Sequence, residues 1–229
     1  MVNWSYPGEI ALDSDVFERM IFISLGVTIW EFFTTCDFEW SLIRGRRRFR
    51  WPLVFLFFLS RYCILLAFIG LIISISITTR VNCWALYIFN SWAGNMTFLC
   101  SSTSLMLRTI ALWERKLRII APLCLLCLAF WTIGYRTMFI VQANWDDAAN
   151  GCIVTNAQPS LLNILYFFNM AFDLTILIYT YVALTTKHTA RTDLWRLLFH
   201  DGLVYFLVTF GANCIPAVFN VLNLNSELL

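Results

Sequence analysis

Charge is what this chain has least of. Asp, Glu, Lys and Arg make up 13% of its 229 residues against 60% hydrophobic. That is too little polar surface to clothe a water-soluble globule of this length, so lipid is the expected solvent. Histidine is nearly absent, with only His188 and His200. Two are too few for a histidine-built metal hydrolase, and no nucleophile motif surrounds any serine. Neither an enzymatic activity nor a cofactor is therefore expected. Lysine is equally scarce, with Lys116 and Lys187 alone, both in links between apolar runs, which leaves no lysine within a bundle to hold retinal as a Schiff base. Residues 1–19 lack the basic region, short apolar core and small-residue cleavage site of a signal peptide. Long polar links and internal repeats are also missing, so a single helical bundle is expected rather than a soluble appendage or a two-fold transporter.

What the chain does have is apolar runs, at about 20–38, 52–77, 84–107, 119–141, 161–185 and 197–222. Each is near the roughly 20 residues that a helix needs to cross about 30 Å of hydrocarbon. The expected fold is all-α: a polytopic membrane bundle of six spans forming one domain over 1–229. Five arginines, Arg44, Arg46, Arg47, Arg48 and Arg50, are packed between the first two runs. A cluster this dense beside a span holds its link in the cytoplasm. The alternate links carry Arg108, Arg115, Lys116 and Arg118, then Lys187, Arg191 and Arg196, while Arg80 stands alone and Asp146 and Asp147 mark the opposite side. The N-terminus is therefore expected outside. The net charge of +2 hides this segregation; the basic residues flank spans, so the lipid bilayer of a plasma membrane or endomembrane is the expected partner and nucleic acid is not.

The eight cysteines sort by depth. Cys36, Cys63, Cys100, Cys124, Cys127 and Cys214 lie in or against spans. Cys124 and Cys127 have CxxC spacing, but no second Cys or His pair completes a metal site. Cys83 and Cys152 fall on the outer, oxidising side, where a disulfide between them is expected. Asn3 lies in an Asn-Trp-Ser glycosylation acceptor on the outer tail, whereas Asn95 in Asn-Met-Thr sits inside the third run.

Polar residues within spans point into a bundle, because lipid penalises them. In the third run Asn90, Gly94, Thr97, Ser101, Ser104 and Arg108 alternate at steps of four and three, giving one small and polar face and hence a central helix. The fifth shows Tyr166, Asn169, Asp173 and Thr180; the sixth shows Gly202, Thr209, Asn213, Pro216 and Asn220. Asn90, Thr97, Asn169, Asp173, Thr209 and Asn213 are candidates to line a cavity, against the blander expectation that they only bond helix to helix. Charges lie deep at Glu31, Arg61, Asp173 and Asp201. Counting about 1.5 Å per residue from the shared link, Arg61 lies about 16 Å above Arg50 and Glu31 about 14 Å above Trp40. Glu31 and Arg61 are therefore expected to form an intramembrane ion pair. Arg136, near the outer end of the fourth run, is expected to snorkel.

Trp30 and Glu31 through Asp37, Glu39, the arginine cluster, Ser60, Arg61 and Tyr62 resemble the N-terminal region of an uncharacterised domain family in multi-pass membrane proteins of basidiomycete fungi. Leu107, Arg108, Thr109, Ala111, Leu112 and Trp113 are similar to a further segment of those proteins, as are Asp201, Gly202, Leu203 and Tyr205. Members look like seven-span proteins with an outside N-terminus, so the resemblance implies a receptor-like layout. This chain stops at Leu229 after six expected spans, which would leave its C-terminus outside. The layout also invites comparison with G-protein-coupled receptors, through the outer cysteine pair, a basic residue ending the third span and Cys214 and Pro216 in the sixth. On that analogy Arg108 and Thr109 face a cytoplasmic signalling partner and a small ligand sits between spans. The alternative is a small-solute or proton-coupled transporter using Glu31, Arg61 and Asp173.

Overall fold

A computed structural model describes residues 7–44, 52–77, 79–113, 116–146, 151–156 and 158–186, with Val208, Gly211 and Cys214 singly. Among these residues the protein is mostly helical, in the order α1 Pro7–Ile43, α2 Leu53–Ser76, α3 Cys83–Leu112, α4 Leu117–Thr137, β1 Gln142–Asp146, β2 Gly151–Asn156 and α5 Pro159–Thr186. Three helices are long and apolar enough to cross a membrane: α2 over Val54–Ser76, α4 over Leu117–Thr137 and α5 over Ser160–Ala183, with mean hydropathies of 2.4, 2.0 and 1.8. Their large side chains are widely exposed, among them Ile69, Leu125, Leu128, Phe167 and Ile178, as suits helices whose outer faces meet hydrocarbon rather than water. The expected sixth span lies almost wholly outside the described residues.

Local chemistry accounts for the helix limits. Proline opens α1 and α5 at the first helical position, where its missing N–H costs no bond. Asn82 caps α3 by accepting from the Ala85 N–H at 3.2 Å. Ile77 is extended and ends α2. Helix α1 begins 13 residues before its apolar run at 20. Asp15 pairs with Arg19 one turn on, at 2.8 Å.

The chain groups into two compact units, Met1–Cys100 with Met138–Ala157 and Leu224–Leu229, and Ser101–Thr137 with Gln158–Asn223. In the first, α1 packs on α2, and Leu56, Cys63, Ala93, Leu99 and Cys100 are buried. At the interface of α2 and α3, Asn90 donates to Ser74 at 3.0 Å while Ser74 donates to the Gly70 carbonyl at 2.8 Å. Glycine at 70 leaves room for this contact: a Cβ would occupy the space of the Asn90 side-chain oxygen.

The first unit also holds an antiparallel hairpin, with Ala143 opposite Val154, Trp145 opposite Cys152 and Asp146 opposite Gly151. This corrects the expected fourth span of 119–141, since the helix stops at Thr137 and the chain continues into a strand. Cys152 of β2 is joined by a disulfide to Cys83 at the start of α3, with 5.6 Å between Cα atoms.

In the second unit α4 packs on α5. The buried positions of α4 are Leu123, Cys127, Phe130, Gly134 and Thr137, a stripe of alternating four- and three-residue steps that faces its neighbours. Phe130 meets Phe172 of α5 at 5.3 Å between ring centroids and stacks with Phe168 at 6.2 Å.

Candidate functional site

Two buried polar clusters stand out, one in each unit. In the first unit Arg61 of α2 pairs with Glu39 of α1, Nη1 to Oε1 at 2.9 Å, and their side chains are only 11% and 7% exposed. The other guanidinium nitrogen donates to the Phe32 carbonyl at 2.7 Å and to the Glu31 carbonyl at 3.3 Å. The Phe32 ring lies 4.6 Å from the guanidinium carbon and the Phe57 ring 5.8 Å. Tyr62 donates to the second Glu39 oxygen at 3.4 Å. The cluster thus joins a charge pair to carbonyl and aromatic partners, which is what a guanidinium removed from water requires.

The expected pairing of Arg61 with Glu31 is corrected here: the acid is Glu39, and the Glu31 side chain is exposed. Direction along the helices explains the difference. Side chains lean toward the N-terminus of their own helix. At the end where α1 finishes and α2 begins, Arg61 therefore leans toward the link and Glu39 leans away from it, so the two converge. Glu31 leans away from the link as well and starts two turns farther from it, out of range of the guanidinium, which meets only its carbonyl. That carbonyl also accepts from Thr34 and Thr35 at 3.0 and 2.7 Å.

In the second unit a polar seam joins α3 to α5 and α4. Ser102 donates to the Asn169 side-chain oxygen at 3.3 Å, Thr109 and Thr180 hydroxyls meet at 3.0 Å, and the Trp113 indole donates to the Tyr179 carbonyl at 3.0 Å. Thr103 accepts from the Trp131 indole at 3.1 Å and lies 3.7 Å from the Cys127 sulfur. Contacts at 102 with 169 and at 109 with 180 follow the same order along both helices, so α3 and α5 run parallel. Asp173, one turn beyond Asn169, is 7% exposed. Its Oδ1 has no hydrogen-bond partner among the described residues.

The candidates expected to line one cavity have separate local roles. Asn90 is spent on Ser74, and Thr97 donates to the Ala93 carbonyl of its own helix at 3.0 Å. Asn169 is bonded to Ser102, Asp173 is buried one turn farther along α5, and Thr209 and Asn213 lie outside the described residues, as does Asn3. Thr109 is corrected as a partner-facing residue, because it is buried against Thr180. Arg108 beside it is exposed, as is Arg136. Glu39, Ser102, Thr103, Trp113 and Trp131 carry bonds that their positions in the sequence did not single out. Comparison with protein-family models, curated proteins and solved structures finds no match to this chain.

Proposed function

We propose that the protein is a receptor-like integral membrane bundle of six spans, with its N-terminus outside and a cytoplasmic signalling partner at the inner end of α3. The observation that carries this reading is the disulfide from Cys83 at the start of α3 to Cys152 in the hairpin ahead of α5. It ties a loop of the outer side to the helix whose other half bonds to α4 and α5, so a ligand that moves the loop pulls on that helix. Arg108, exposed on α3, supplies a cationic contact for the partner. The resemblance of the Leu107–Trp113 stretch to seven-span fungal membrane proteins supports the same reading. A transporter remains the alternative, but two of the three charges assigned to its path are otherwise engaged or turned outward: Arg61 is bonded to Glu39 and the Glu31 side chain is exposed.

Graded expression in cells carrying a heterotrimeric G protein should raise basal nucleotide exchange on that G protein, and Arg108→Ala should return it to background at unchanged surface amounts. No rise with any G-protein class, accompanied by solute or proton flux in proteoliposomes, would replace the receptor with a carrier.

A further inference from the structure

We propose that the face of α1 turned away from α2 docks a transmembrane helix of another membrane protein, one that carries a lysine or arginine at mid-bilayer depth and pairs it with Glu31. The inference rests on the reading of α1 as a membrane span and is independent of the receptor assignment. The covered positions of α1 recur at alternating steps of four and three: Ile21 and Glu39 are buried, and Leu25, Thr28, Phe32 and Thr35 between them are half-buried. This is the side on which Phe32 and Glu39 meet Arg61 of α2. Across the helix Val16, Met20, Ile23, Val27, Trp30 and Thr34 recur at the same steps and are all exposed, the spacing with which one helix receives the side chains of another.

Val27, Trp30, Glu31 and Thr34 stand at i, i+3, i+4 and i+7 and frame one hole of such a seam. Glu31 lies about 18 Å along the helix axis from Arg19 and about 20 Å from Arg44, in the middle of the apolar run, where a lone charge facing lipid is costly. Trp30, 72% exposed, is out of place in the same way, because tryptophan gathers at membrane interfaces, with its polar end in reach of water. Among the described residues neither the Trp30 indole N–H nor the Glu31 carboxylate takes part in a hydrogen bond or ion pair; the bonds at Glu31 all end on its carbonyl. A carboxylate beside an aromatic ring is a set that holds a guanidinium or ammonium group. Helix α1 uses that set on its other face, where Glu39 and the Phe32 ring hold Arg61.

The bases of these 229 residues are placed or spent elsewhere. Arg61 reaches this depth of α1 and is bonded to Glu39 and to two carbonyls. Arg19 pairs with Asp15, and the Arg44 guanidinium lies 4.8 Å from the Trp40 ring centroid. Arg118 and Arg136 stand at the two ends of α4 and Arg108 close to the end of α3, while the run 197–222 has no Lys or Arg at all. A second copy of the chain brings the same inventory and would set Glu31 against no free base. The complementary charge therefore comes from a different membrane helix.

The test is resonance energy transfer in lipid vesicles between the full chain, labelled at its N-terminus, and a synthetic leucine helix of about 20 residues with one lysine at its centre. The lysine helix should bind about 5- to 30-fold more tightly than an all-leucine helix, with the preference lost in Glu31→Gln and weakened in Trp30→Ala. Equal binding of the two helices, or a preference kept in Glu31→Gln, overturns the proposal. So does transfer between two differently labelled copies of the chain that Glu31→Gln abolishes, which would make the face an interface between copies. A membrane-impermeant maleimide separates the docking site from the topology beneath it: Glu31→Cys in the same vesicles should take up no more label than the parent chain. Extra labelling puts position 31 in water and overturns the span together with the docking site, whereas protection combined with equal binding of the two helices overturns the docking site alone.

Discussion

Breaking the Arg61–Glu39 pair should cost more from one side than from the other. Remove the arginine, as in Arg61→Met, and among the described residues Glu39 keeps the Tyr62 hydroxyl at 3.4 Å alone, which leaves a buried carboxylate nearly unpartnered; the expected loss is about 3 to 5 kcal/mol. Remove the acid's charge, as in Glu39→Gln, and Arg61 retains the Phe32 and Glu31 carbonyls and two aromatic rings. The amide oxygen can also still accept, so the loss should be about 1.5 to 3 kcal/mol, that of a hydrogen bond to a charged group. Combining Glu39→Gln with Arg61→Met should be milder than the sum, since no orphaned charge remains. Glu31→Gln, whose side chain is exposed, should change little. Thermal unfolding in detergent micelles, followed as a double-mutant cycle, reads all four chains. Additive losses for Glu39 and Arg61, or a loss at Glu31 as large as that at Glu39, would refute the pairing and its directional explanation.

Gly70→Ala should destabilise by about 1 to 3 kcal/mol, because the new methyl displaces the Asn90 side chain from Ser74; adding Asn90→Ala should recover part of that loss in the same unfolding assay. Cys83→Ser opens a covalent link over a separation of 69 residues and should lower stability by up to about 4 kcal/mol, less where the membrane already restrains the helices. Intact mass after alkylation without reductant should show Cys83 and Cys152 unlabelled in the parent chain, and labelling of either would contradict the bridge. In Thr109→Val and Thr180→Val the cross-helix hydroxyl contact is lost, so each should cost about 0.5 to 1.5 kcal/mol and the double variant should cost less than their sum.

The helices were legible because runs of apolar residues set their own lengths: α2 and α5 begin and end within two residues of the expected spans. The disulfide was legible from compartment alone, since Cys83 and Cys152 were the two cysteines expected on an oxidising side. Polarity within a helix misled at Thr97 and Thr109. A threonine in lipid can donate to the carbonyl one turn back, as Thr97 does to Ala93, and so reports nothing about a cavity. The run Ser101–Ser102–Thr103–Ser104 offers a hydroxyl on every side of α3, and periodicity could not show that Ser102 and Thr103 make the bonds to α5 and α4. The Glu31 assignment failed because rise per residue gives the depth of a Cα and ignores the direction in which a long side chain leans. The hairpin was hidden because five- and six-residue strands around Asp146 and Asp147 read as a polar link.

Topology is the claim on which the functional reading stands, and compartment-specific labelling of tags in intact cells tests it most directly. The account predicts that N-terminal and C-terminal tags are reached by an impermeant reagent from outside, while tags in the links at 45–50, 114–116 and 187–196 are reached only after the membrane is permeabilised. An N-terminal tag protected in intact cells, or a C-terminal tag reached only from the cytoplasm, would contradict the six-span, outside-N-terminus bundle.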